Sequence, residues 1–276
     1  MNHSWTVVDP LQGDGGPARV SYDPAARVPE AESPTTPRDG SLVPELHNGS
    51  GAMFDRIAAR YDLLNRLISF GVDQRWRRKL VAALELGASP HVLDLATGTG
   101  DVALRLAQAY PSARIQGLDP STQMLARAEK KAAERRVKGR TRFVVGDAER
   151  LPFEDETFDG ITMAFGIRNV VNRARALGEM HRVLRPGARV AILELSEPRG
   201  QGPLAWLARQ HVHHLVPWLG SWLSGAAEYR YLQQSIAAFP PPAEFGQLVR
   251  GAKLEVVAIR PLTFGACCLY VGRRAP

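Results

Sequence analysis

The chain has 276 residues, 45% of them hydrophobic and 23% charged. That length and balance fit one large domain or two small ones, and no apolar run is long enough to span a bilayer. Two adjacent cysteines, Cys267 and Cys268, cannot build a disulfide framework, and no basic-then-apolar leader opens the chain, so a cytoplasmic setting is expected.

Residues 1–48 are rich in Pro, Gly, Ser and acids and carry no apolar periodicity. Such a segment cannot offset its ordering entropy, so a disordered N-terminal extension is predicted, with one domain over 49–276. The first fifty residues hold three Arg against seven acids, which leaves the rest of the chain strongly basic. From Met53, the residues Phe54, Ile57, Tyr61, Leu64, Leu67 and Ile68 recur at helical spacing, and a second helix is predicted from Asp73 to Leu84. These elements, 49–88, are expected to lie over the site.

An alternation follows. Strands are predicted at His91–Leu95, Ala113–Leu118, Arg142–Val145, Phe158–Ala164 and Arg189–Leu195. Helices are predicted at Val102–Ala109, Thr122–Arg136 and Arg173–Leu184. This pattern predicts βαβ units, a doubly wound parallel sheet and helices on both faces. Residues 203–223 hold three of the five Trp and read either as core or as an apolar cover, within a helical insertion over 200–240. Helices are then predicted at Tyr229–Ala238 and Glu244–Arg250, and a closing hairpin at Glu255–Ile259 and Ala266–Val271.

The loop after the first strand, Ala96-Thr97-Gly98-Thr99-Gly100, opens a helix. Glycines there allow close backbone approach, and a helix N-terminus suits a carboxylate or phosphate. Gly98-x-Gly100-x-x-Ala103 also fits a dinucleotide loop, so a nicotinamide-dependent oxidoreductase is a rival. Asp119, at the end of the second strand, suits ribose hydroxyls in either case, Ser121 being the better helix cap. Asp94 separates the two: an acid before the loop suits the ammonium of a methionine moiety and would repel a pyrophosphate. Asp147 and the backbone of Ala148, after the third strand, suit the amino edge of an adenine. The segment Leu151–Asp159 reads equally well as a simple turn.

Taken together, VLDLATGTGD (92–101), GLDPSTQML (117–125), GDAERLPFEDETFD (146–159) and MHRVLRPGARVAILELSEP (180–198) resemble the core of class I S-adenosylmethionine (SAM)-dependent methyltransferases. The segment Phe165-Gly166-Ile167-Arg168-Asn169-Val170 resembles the signature of the quinone-biosynthesis C-methyltransferases, which act on demethylmenaquinol and 2-polyprenyl-6-methoxybenzoquinol. FDRIAARYDLLNRLISFGVDQRWRR (54–78), Tyr229-Arg230-Tyr231-Leu232 and Leu262-Thr263-Phe264-Gly265 resemble further family segments. The resemblance covers about 50–273 and implies a seven-stranded sheet, mostly parallel with an antiparallel last strand. It implies SAM contacts from Thr99, Asp119, Asp147 and Ala148, beside Asp94, Gly98 and Gly100. Where the family often has serine, this chain has Ala164, so a contact there would run through backbone.

A reduced quinol becomes nucleophilic at a ring carbon when a phenolic proton, of pKa about 10, is lost. Arg168 is the main candidate for holding the phenolate. Asn169 is expected to orient the ring oxygen, and Tyr229 to offer a hydroxyl to the chemistry. Tyr61 and Tyr231 are expected to touch the substrate with Arg168. His211, His213 and His214 lack carboxylate or Cys spacing, and no metal is expected. The resemblance implies a polyprenyl quinol as partner and contact with a membrane surface, to which Arg75–Lys79 and Arg127–Arg142 would add attraction. Aromatic residues do not alternate with the basic ones, so nucleic acid is not expected. A homodimer is left open. Two further rivals are an enzyme that methylates oxygen or nitrogen on another small molecule and a SAM-binding module without catalysis.

Overall fold

The computed structural model describes residues 71–196 and 226–276. The predicted extension at 1–48, the helix carrying Tyr61, the Trp-rich span 203–223 and the three clustered histidines lie outside the described residues.

Seven strands form one sheet: β1 (His91–Leu95), β2 (Arg114–Asp119), β3 (Thr141–Val145), β4 (Phe158–Ala164), β5 (Leu184–Leu195), β6 (Leu254–Leu262) and β7 (Cys267–Arg274). Their order is β3-β2-β1-β4-β5-β7-β6. The first five are parallel neighbours. The last strand inserts antiparallel between β5 and β6. The chain thus winds outward from β1 in one direction, then crosses to β4 and winds in the other. The β1–β4 boundary is therefore the switch point, where a crevice opens beyond the strand ends.

Buried residues cover both sheet faces, as a doubly wound sheet requires. On one face α1 (Asp73–Ala82), α2 (Asp101–Ala109) and α3 (Thr122–Glu134) bring Leu80, Leu104 and Ala132 against Ile115 and Leu269. On the other, α4 (Arg173–Val183) and α6 (Pro242–Gly251) bring Met180 and Phe245 against Phe158 and Tyr270. Each of the Leu, Ile, Met and Phe side chains among these, fully buried, contributes about 1.5–3 kcal/mol. α5 (Ala226–Ala237) precedes α6 in the chain.

Ser121 caps α3, its Oγ accepting from the Met124 N–H at 3.1 Å, as its sequence position predicts. Gly117 shows why a side chain is excluded at mid-β2: a Cβ would lie 2.5 Å from a Phe143 ring carbon and 3.0 Å from Thr97 Cγ2. The cofactor-side loop therefore packs directly on the sheet. The basic stretch Arg75–Lys79 splits by helical phase. Arg75, Arg78 and Lys79 are exposed, whereas Trp76 and Arg77 are buried. Within the second basic run, Arg127, Lys130, Arg135, Arg136 and Lys138 are exposed.

Candidate active site

Asp94 sits at the switch point, paired in register with Gly117 of β2 and Thr162 of β4. It is 1% exposed. Its Oδ2 accepts from Thr97 Oγ1 at 2.6 Å and the Ala103 N–H at 3.1 Å, and its Oδ1 accepts from Thr162 Oγ1 at 2.7 Å. The carboxylate thus ties β1, β4, the glycine loop and the first turn of α2 together. A carboxylate has about four acceptor sites, so these bonds leave limited capacity for a ligand. Burial pushes its pKa up to about 6 against the opposing pull of the Thr97 and Thr162 hydrogen bonds and of Arg77.

The same geometry weighs against a pyrophosphate. The α2 N–H that the dinucleotide reading needs, at Ala103, already donates to Asp94, and the Gly100 N–H donates to the Thr97 carbonyl at 2.9 Å. Gly98 and Gly100 take left-handed conformations, with φ of 55° and 81°. Open space surrounds the position a Gly98 Cβ would occupy, whereas one at Gly100 would come within 2.9 Å of the Ala128 Cβ. Gly100 therefore serves helix packing, and Gly98 faces room for a ligand.

Thr99 is buried, and its Oγ1 accepts from Lys131 Nζ at 2.8 Å; the same ammonium meets Asp101 at 2.8 Å. Asp119 accepts from the Gly98 N–H at 2.8 Å on one oxygen and from the Ser121 N–H at 2.9 Å on the other. It thereby couples the glycine loop to the end of β2. Asp147 is exposed at the rim after β3, taking the Glu149 N–H at 2.9 Å, with Ala148 buried beside it. The segment that follows is a tethered turn: Arg182 of α4 donates to the carbonyls of Phe153 at 2.7 Å and Leu151 at 3.1 Å.

A hollow beside the loop is lined by Asp94, Thr97, Gly98, Asp101 and Ala164, and also by Arg77. The donor set fits the methionine end of SAM, which carries an ammonium and a carboxylate: the lining presents acids and a guanidinium together. Sequence reasoning does not single out Arg77. Its pairing with Asp73 at i, i+4 on the apolar side of α1 is the signal that could have found it.

Arg168 lies in a short 3₁₀ turn, Ile167–Asn169, just beyond β4. It is 9% exposed, and its partner Glu194 on β5 is 0% exposed. Arg168 Nη1 donates to Glu194 Oε1 at 2.6 Å and to the Phe165 carbonyl at 2.7 Å. Glu194 also accepts from the backbone N–H groups of Arg168 at 3.1 Å and Leu195 at 2.8 Å. The guanidinium is therefore held in a buried ion pair, not in a surface one. Asn169 Oδ1 accepts from the Tyr231 hydroxyl of α5 at 3.1 Å, joining two predicted residues. Burial raises the Tyr231 pKa, with Arg168 opposing and Glu194 adding to the rise. The side chains of Tyr229 and Tyr61 lie outside the described residues. Glu194, the buried partner of Arg168, is not singled out by sequence reasoning, although a lone acid closing the apolar run Val190–Leu193 is visible there.

A glycine loop after β1, acids at the ends of β1 and β2 and a mixed-charge hollow at the switch point define a class I SAM-dependent methyltransferase. The model of the ubiE/COQ5 methyltransferase family matches residues 47–274. The chain belongs to that family. It is 46% identical over 223 residues to the ubiquinone/menaquinone biosynthesis C-methyltransferase UbiE of Syntrophotalea carbinolica, covering 81% of this chain and 93% of that protein. It is 44% identical over 223 residues to the demethylmenaquinone methyltransferase of Thermus thermophilus, covering 80% of this chain and 100% of the relative. The fold is shared with a SAM-dependent methyltransferase structure from Aquifex aeolicus at a TM-score of 0.53 and 20% identity, covering 71% and 88% of the two chains. Family membership excludes the oxidoreductase reading.

Proposed function

We propose that this enzyme methylates a ring carbon of a polyprenyl quinol, with demethylmenaquinol as the principal substrate. The observation that carries this reading is the buried Arg168–Glu194 pair beside Asn169 and Tyr231, close along the chain to Ala164, which lines the cofactor hollow. The names of the two relatives above support the substrate class.

SAM supplies an electrophilic methyl group on a sulfonium. The chain's own part is to bind and orient the quinol and to make its ring carbon nucleophilic. In this reading a phenolic O–H loses its proton, and the resulting charge is held by Arg168, directly or through water. The electron pair of the ring carbon would then form the new C–C bond as the methyl–sulfonium bond breaks and leaves S-adenosylhomocysteine, and the phenolic and ring C–H protons would pass to water, restoring the aromatic ring. Glu194 keeps the guanidinium immobile, which supports catalysis by preorganisation, although the pairing makes Arg168 a weaker net cation than a lone guanidinium. Asn169, held by Tyr231, orients the quinol oxygen. On the cofactor side, Asp94 receives the ammonium, Asp119 the ribose, and Asp147 with Ala148 the adenine edge. Thr99 and Gly100 shape the loop, and Ala164 contributes backbone only.

The enzyme would be incubated with SAM and short-chain demethylmenaquinol or methoxybenzoquinol, each alone and then in competition, and products read by mass. Preferred methylation of demethylmenaquinol supports the proposal, and preference for methoxybenzoquinol moves the enzyme to the ubiquinone branch. A polyprenyl tail also calls for peripheral membrane contact, consistent with the exposed basic residues of α1 and α3 and with the absence, among the described residues, of any helix long and apolar enough to cross a membrane. Failure to co-sediment with anionic liposomes at low salt would refute that part.

A further inference from the structure

Arg77 is the buried cation of α1, and neither the quinol chemistry nor the fold alone gives it a role. It is 6% exposed, on the face of α1 that buries Asp73, Trp76, Leu80 and Val81. Its Nε meets Asp73 Oδ2 at 3.4 Å, and its guanidinium carbon lies 5.2 Å from the centre of the Phe165 ring. A flat cation over an aromatic face is held in orientation as well as position. Phe165 is itself fixed: its φ is 61°, its N–H donates to the Leu193 carbonyl at 2.7 Å, and its carbonyl takes Arg168. Trp76 tilts against the same ring at 6.3 Å and donates to Thr263 Oγ1 at 2.9 Å, fastening α1 over the carboxyl ends of the strands.

The hollow is lined by charges of both signs. Asp101 is matched by Lys131. Asp94 and Arg77 then line the hollow as an acid and a cation, and Arg77 is close enough to favour the charged form of Asp94. A zwitterionic amino-acid group requires that arrangement, an anion for its ammonium and a cation for its carboxylate. Arginine offers the carboxylate a fork of donors that lysine cannot.

We propose that Arg77, steadied on Phe165 by its π face, is the residue that receives the carboxylate of the cofactor's methionine end. This rests on SAM dependence, which family membership establishes. Phe165 then links the two halves of the site, its ring aligning the cofactor's anchor and its carbonyl holding Arg168.

The test uses S-adenosylhomocysteine and its decarboxylated counterpart, which differ by the carboxylate alone, titrated calorimetrically into the full chain and into Arg77→Met. Loss of a forked, charge-assisted contact corresponds to roughly ten- to hundredfold in affinity. The wild type should lose that factor when the ligand carboxylate is removed. Arg77→Met should lose it with S-adenosylhomocysteine, yet bind both ligands equally. Arg77→Lys, which keeps the charge and loses the fork, should fall between, and it serves alone if thermal melts show Arg77→Met unfolded. Equal weakening of both ligands in the variants would mean that Arg77 only props the loop, and unchanged affinity would mean no contact; either overturns the proposal. A wild type that binds neither S-adenosylhomocysteine nor SAM would instead overturn the cofactor reading beneath it.

Discussion

Binding of S-adenosylhomocysteine should weaken on acidification through the pKa of Asp94. Burial raises that carboxyl from 3.8 to about 6 in the ligand-free fold. A raised acid holds its proton more tightly folded than unfolded, so its contribution to stability is fully present below the unfolded pKa. It is lost as pH rises through about 6, and the full swing is about 3 kcal/mol. A ligand ammonium reverses the balance by favouring the carboxylate. Binding then releases a proton below this pKa, and affinity at about pH 5 should be about tenfold lower than at about pH 7.5. The nearby groups do not mimic this: Asp101 is held below its usual range by Lys131 and Arg77 despite its burial, and His91 is lowered to about 4, chiefly by burial. Calorimetry in buffers of different ionisation enthalpy counts the released proton directly. Methylthioadenosine, which lacks the amino-acid group, should bind with a flat profile, and Asp94→Asn should flatten the profile of S-adenosylhomocysteine. An affinity unchanged between these pH values, or one falling equally for methylthioadenosine, would show that Asp94 meets no ammonium.

Glu194→Ala should strip the buried Arg168 of its partner and destabilise the fold by about 3–5 kcal/mol, read by urea unfolding; a loss under about 1 kcal/mol would mean that the pair is solvated. Glu194→Gln keeps a side-chain oxygen that can accept from a backbone N–H and should lower kcat while leaving S-adenosylhomocysteine affinity within about twofold, since the pair bears on the substrate side. Tyr231→Phe removes the bond to Asn169, and a loss of about 1 kcal/mol should appear as roughly fivefold in kcat/KM for the quinol. Gly117→Ala would force a Cβ into Phe143 and against Thr97, costing about 1–3 kcal/mol in stability and weakening S-adenosylhomocysteine through the displaced loop.

The central strands are legible in the sequence because they are buried on both faces. His91–Leu95 and Phe158–Ala164 agree with the structure at both ends. β5 begins at Leu184, earlier than Arg189, because Leu184 pairs with Phe158 ahead of the irregularity at Pro186-Gly187, which reads locally as a break. β6 runs to Leu262, through Pro261, because it is the edge strand, where a missing N–H is tolerated. The closing hairpin is readable from its residues, but the insertion of β7 beside β5 follows only from family resemblance. Ser121, Asp94 and Asp119 can be placed from their positions at strand ends. The depth of Arg77 and Arg168 cannot: a buried guanidinium is tolerable only because of Asp73 and Glu194, and the Arg168–Glu194 pair joins elements 26 residues apart in sequence. In the basic stretch holding Arg77, only Arg75, Arg78 and Lys79 are exposed, and the run of basic residues by itself does not set Arg77 apart from them.

The central claim is transfer to carbon on a quinol ring with Arg168 holding the phenolate. Its most direct test is single-turnover transfer from SAM labelled with carbon-13 in the methyl group to short-chain demethylmenaquinol, with the label located by NMR. The wild type should place the label on the ring carbon, and Arg168→Met should transfer none while still binding S-adenosylhomocysteine. Label on oxygen, or full transfer by Arg168→Met, would contradict that claim.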